Sequence, residues 1–200
     1  MTAFTIKNFQ HKALVVGPIY NKTEKFKKIQ EIENNYDLII FNGNLCYPYE
    51  SISELEERIE IFNQNPKWVF NLGQYDLKVL IDSNISSKVK EWISSKSNVV
   101  IIEYKNQTSL IILGGGLTPT IGKKDLQENL EVSFISNFNN EIWHKSYGGA
   151  YGYIISNNPL TDQPPAFYNY SMQIGNYFSQ NNKVYAQEVD QYGLKETILL

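Results

Sequence analysis

The chain has 200 residues, of which 42% are hydrophobic and 20% charged, with a formal net charge of -3. That length suits one domain spanning 1–200, with enough apolar side chains to bury a sizeable core. The acidic balance argues against the concentrated basic surface of a nucleic-acid binder. No apolar run approaches the ~18 residues of a membrane-spanning helix, residues 1–12 lack a signal-peptide pattern, and Cys46, as the only cysteine, allows no internal disulfide. The expected location is therefore cytoplasmic, a host cytoplasm included if the chain is a phage or virus product.

In chain order, an apolar strand at 12–16 leads to a helix over 22–34 with Phe26, Ile29 and Ile32 on one face. Its basic stretch from Lys22 to Lys28 reads as a solvated face rather than a phosphate patch. A strand follows at 38–41. Ser51 and Glu54 form a capping box before a helix over 53–64, with Leu55, Ile59 and Phe62 at helical spacing and Pro66 beyond its end. After a strand at 68–71, a helical stretch over 76–95 carries Leu77, Leu80, Val89 and Trp92. Strands at 98–104 and 108–113 flank an Asn106-Gln107 turn, and 121–150 is mixed, with a loop at Gly148-Gly149. The remainder is strand-rich: 153–155, 170–174, 183–189 and 195–199, punctuated by Pro164-Pro165, Asn181-Asn182 and Gln191-Tyr192-Gly193. This order predicts an α/β fold of two stacked mixed sheets with helices outside.

Four of the apolar strands run into glycine-centred turns: Gly17-Pro18-Ile19-Tyr20, Gly43-Asn44-Leu45-Cys46, Gly73-Gln74-Tyr75-Asp76 and Gly114-Gly115-Gly116-Leu117. Such turns deliver the next side chains to the carboxyl edge of a sheet, where open α/β folds bind ligands.

At these turns the chain resembles the calcineurin-like metallophosphoesterases, in particular their phosphoprotein (Ser/Thr-type) phosphatase branch, from about Ala13 to the C-terminus. The family's Gly-Asp-x-His-Gly aligns with Gly17-Pro18-Ile19-Tyr20-Asn21, and its Gly-Asp-x-x-Asp-Arg-Gly with the seven residues from Gly43 to Tyr49. Gly-Asn-His-Glu/Asp aligns with Gly73-Gln74-Tyr75-Asp76, and Gly-His-Thr-Pro with Ser156-Asn157-Asn158-Pro159. The sharpest match is His-Gly-Gly-Leu-Ser-Pro with Gly114-Gly115-Gly116-Leu117-Thr118-Pro119. The resemblance implies an α/β/β/α sandwich and a two-metal phosphoesterase site. Its ligand positions here hold Pro18, Tyr20, Asn44, Gln74, Gly114 and Asn157; the leaving-group acid becomes Tyr75, and the phosphate-gripping Arg becomes Pro48.

None of those positions offers a carboxylate or an imidazole, whereas two-metal hydrolysis needs anionic oxygens and a bridging hydroxide. The expectation is no catalytic residue, no metal ligand and no cofactor, with Mn, Fe or Zn required only if the chain is still a divergent phosphoesterase. Neutral substitutes also spare the fold a cluster of repelling carboxylates. Arg58, the single arginine, lies on a predicted helix and does not replace the clamp. Asp76 reads as a helix N-cap, His144 as a loop or helix-surface histidine, His11 as a surface residue, and Cys46 as an unactivated thiol. Tyr20, Tyr47, Tyr49 and Tyr75 should converge on the crevice, where they either plug it or, with Asn44 and Asp76, line a pocket for a neutral ligand or a protein partner. The leading functional reading is an inactive phosphatase-like binding or interaction domain; the others are a divergent hydrolase and a structural assembly subunit.

Overall fold

The computed structural model describes residues 3–46, 51–105, 109–114, 129–135, 141–148, 153–158, 166–168, 171–175 and 183–200. The helices are α1 (Glu24–Ile32), α2 (Ile52–Asn63), α3 (Gln74–Ile81) and α4 (Ser87–Ser94), with a short 3-10 turn at Glu33–Asn35 after α1.

A five-stranded sheet has the order β13-β12-β2-β3-β4, from Gly193–Leu199, Tyr185–Asp190, Ala13–Val16, Leu38–Asn42 and Trp68–Asn71. Here β2, β3 and β4 run parallel, while β12 is antiparallel to both β2 and β13. The second sheet has six strands in the order β1-β5-β6-β9-β11-β10, from Ala3–Phe9, Val99–Tyr104, Ser109–Leu113, Tyr153–Asn158, Ser171–Gly175 and Ala166–Tyr168. Strands β7 (Asn129–Ile135) and β8 (Glu141–Gly148) form a separate antiparallel pair.

The predicted mixed sheets and their order are present. Four strands were not predicted: β1, β10 and the β7–β8 pair within 121–150 are short or lack a clean apolar alternation. The stretch predicted as one helix over 76–95 is two, because Asp82, Ser83 and Asn84 break it and Ser86 caps the second through its hydroxyl, which accepts from Val89 N. The α2 capping box forms as predicted: the Ser51 hydroxyl accepts from Glu54 N, and the Glu54 carboxylate accepts from Ser51 N.

Strands β2, β3 and β4 are continuous apolar runs because both of their faces are covered. Val15 and Ile40 point between the sheets, against Val100, Ile102, Leu110, Ile112 and Ile155. Leu14, Val16, Ile39, Phe41 and Phe70 point the other way, onto Phe26, Ile29, Leu55, Ile59, Phe62, Val89 and Ile93 of the helices. All four described helices thus cover the same side of the five-stranded sheet. Phe62 is the hub of that layer, in ring contact with Phe41, Trp68, Phe70 and Trp92 at centroid distances of 5.0–5.8 Å.

Candidate functional site

The parallel strands β2, β3 and β4 end side by side, so three of the glycine turns meet at one sheet edge. They meet by backbone contact. A Cβ built on Gly73 would lie 2.4 Å from Asn44 Oδ1, and one on Gly114 would lie 1.7 Å from the Leu72 carbonyl oxygen. Only glycine fits either place. At position 114 no side chain of any kind has room, so the donor expected there cannot be restored by substitution alone.

Between these backbones sits a hydrogen-bonded knot. The Asp76 carboxylate accepts from three backbone N–H groups: Asn44 N at 2.7 Å, Gly73 N at 2.7 Å and Cys46 N at 2.9 Å. Gly73 is the N-cap of α3 and Asp76 its third residue, so the predicted capping role is present, one turn further in than expected and extended across to the second turn. Asn44 braces the opposite direction: its Oδ1 accepts from Tyr75 N at 3.0 Å, and its carbonyl accepts from Tyr20 N at 2.8 Å. To do so Asn44 takes φ 57° and Tyr20 φ 54°, left-handed conformations that a non-glycine residue adopts only when its surroundings enforce them.

Burial sets the electrostatics. Asp76 is fully enclosed, and desolvation raises its pKa to about 6 although the backbone donors and the Cys46 thiol pull it down. Burial also pushes the Cys46 thiol well up, with Asp76 as a further cause, so no thiolate forms. Arg58 is buried within electrostatic reach of both; desolvation lowers its guanidinium to about 10 against their attraction. The sequence reading left Arg58 on the helix face without a site. Its inward turn was readable, since 55, 58, 59 and 62 form the single buried stripe of α2.

Tyr20 and Tyr75 do converge, edge to face at 5.8 Å, and both are buried. Pro18 is buried beside them, Gln74 opens α3, and Asn157 lies within β9, paired with Ile174 of β11. Tyr47, Pro48 and Tyr49 lie outside the described residues. His11 is exposed, 3.9 Å from the Asp37 carboxylate, as a surface histidine. His144 is in strand β8, not in a loop or helix: it alternates within the β7–β8 ladder opposite Ser133.

Beside Asn44, three more buried asparagines, Asn42, Asn71 and Asn98, lie near the strand ends. Asn71 Nδ2 donates to Asn42 Oδ1 at 3.0 Å and to the Ile112 carbonyl at 3.1 Å, tying the two sheets together. Among the described residues, Asn71 Oδ1 and both side-chain polar atoms of Asn98 have no protein partner. Such orphaned amides call for ordered water rather than a divalent cation, which selects anionic oxygen or nitrogen donors. Among the described residues no group of three or more His, Cys, Asp or Glu gathers. Among the described residues of this edge the one carboxylate, Asp76, already spends both oxygens on backbone donors, so the described donor set does not fit a dinuclear metal centre.

No known family's sequence profile matches the chain, and no curated protein sequence matches it. The chain shares its fold with solved structures, and the likeness spans nearly the whole chain. A candidate diadenosine tetraphosphatase superposes with a TM-score of 0.61 at 12% identity, over 98% of this chain and 97% of that one. A hypothetical protein from Pyrococcus horikoshii OT3 gives 0.60 at 12% identity, over 94% and 87%. A protein serine/threonine phosphatase from Saccharomyces cerevisiae, similar to human phosphatase PP5, gives 0.53 at 13% identity, over 100% and 82%. At such identities the likeness is one of fold.

Proposed function

We propose that this chain is a catalytically silent phosphatase-like domain that serves as a binding or interaction module. The observation that carries the reading is the Asp76–Asn44 knot: the side chains at the sheet edge are consumed in joining three turns, leaving neither a metal-binding carboxylate nor room for a donor at Gly114. The substitutions act together. They replace a site held open by cations with one held shut by hydrogen bonds, and the scaffold folds without the mutual repulsion of clustered carboxylates.

The test is metal content by elemental analysis together with p-nitrophenyl phosphate turnover in the presence of Mn²⁺. A silent domain retains less than stoichiometric metal, shows no turnover above buffer, and melts at the same temperature in EDTA and in excess Mn²⁺. Stoichiometric Mn, Fe or Zn with turnover would instead establish a divergent phosphoesterase.

A further inference from the structure

We infer that the groove between α2 and α4 is a docking site for a partner-protein segment carrying an apolar side chain next to a lysine or arginine. The inference rests on the reading of the domain as an interaction module, and it places the contact away from the closed crevice.

The two helices run parallel. Ser86 Oγ at the start of α4 donates to Glu56 at 2.9 Å, Lys88 Nζ to Glu60 at 3.4 Å, and Trp92 Nε1 to Asn63 at 2.8 Å, so positions along one helix meet successive positions along the other. Between them lies a groove of about 240 Å³ with Ile59, Val89 and Trp92 among its lining residues. The Trp92 ring stacks on Phe70 at 5.5 Å and has Lys96 Nζ 4.3 Å from its centroid, so the indole that lines the groove is packed by both neighbours. That volume takes one large aliphatic or aromatic side chain.

Charge selects what accompanies the anchor. Glu56 and Glu91 line the groove, and the one cation lining it, Lys88, is paired with Glu60. Because the helices are parallel, both carbonyl-bearing C-terminal ends lie at the Asn63–Trp92 end, and each carries a partial negative charge. An anionic partner meets like charge there; a lysine or arginine completes the field.

The probe is a short blocked peptide of alternating Leu and Lys, labelled for fluorescence anisotropy, with a Leu/Glu peptide as its counterpart. The Leu/Lys peptide is expected to bind at least about 10-fold more tightly than the Leu/Glu peptide, and to weaken with added salt. Glu91→Lys, at an exposed position that lines the groove, should weaken it while leaving circular dichroism unchanged. Equal binding of the two peptides, or undiminished binding by Glu91→Lys, overturns the inference. So does self-association of the free chain that the peptide displaces, since a second copy, offering the exposed Lys27 and Lys28 of α1, would then be the occupant. Turnover of p-nitrophenyl phosphate on the same preparation separates the two failures. An inert chain that ignores the peptide loses only the groove; a metal-dependent hydrolase that ignores it loses the interaction reading as well.

Discussion

Removing the Asp76 carboxylate is the most direct probe of the knot. Asp76→Ala leaves the N–H groups of Asn44, Cys46 and Gly73 buried without acceptors. Each orphaned donor costs about 2 kcal/mol, so the gross loss is about 6 kcal/mol. Against this, the variant no longer buries a charge whose pKa is raised from 3.8 to about 6, which returns about 3 kcal/mol at neutral pH. The net expectation at pH 7 is a loss of about 3 kcal/mol, read as a fall of about 1.5 M in the urea midpoint for a slope near 2 kcal/mol per M. Asp76→Asn keeps one acceptor oxygen, enough for Asn44 and Gly73, and turns its NH₂ onto Cys46 N. It should lose about half as much. A loss below about 1 kcal/mol for Asp76→Ala would refute the reasoning, because it would mean that the turns hold together without the carboxylate.

The same group gives a signed pH dependence. Its folded pKa lies above the unfolded value, so its contribution to stability is full below pH 3.8 and is lost as pH rises through about 6. The Asp76→Ala loss should therefore be about 2 kcal/mol larger at pH 4.5 than at pH 7, measured by paired urea titrations; a smaller loss at pH 4.5 would show that the backbone donors outweigh desolvation. Gly114→Ala drives a methyl group into the Leu72 carbonyl, which backbone rigidity resists, and should cost about 2 kcal/mol or more or fail to fold in a solubility and thermal-melt comparison. Gly114→His should be no better and should gain no Mn²⁺ affinity by calorimetry. Phe62→Ala removes the ring shared by Phe41, Trp68, Phe70 and Trp92 and should lower stability by about 3–5 kcal/mol in chemical denaturation.

Much of the scaffold was legible in local chemistry. Apolar runs such as 13–16 and 38–41 can only be strands covered on both faces, and Ser51 with Glu54 can only start a helix efficiently. Glycines at the strand ends located the edge where the turns meet. Strands such as β1, whose exposed positions interrupt its apolar ones, carry too weak a local pattern, because pairing with β5 rather than propensity makes them strands.

The amino-acid sequence by itself determined the layered α/β class and the turn positions, since each depends on residue type and short-range spacing. Only the tertiary structure decided that Asp76 of one turn reaches the backbone of Asn44 and Cys46 in another, that Arg58 faces inward, and that α2 and α4 lie parallel with an acidic groove between them. Those relations join residues some thirty positions apart in sequence, and the packing of helices on the sheet brings them together; no local preference encodes that distance.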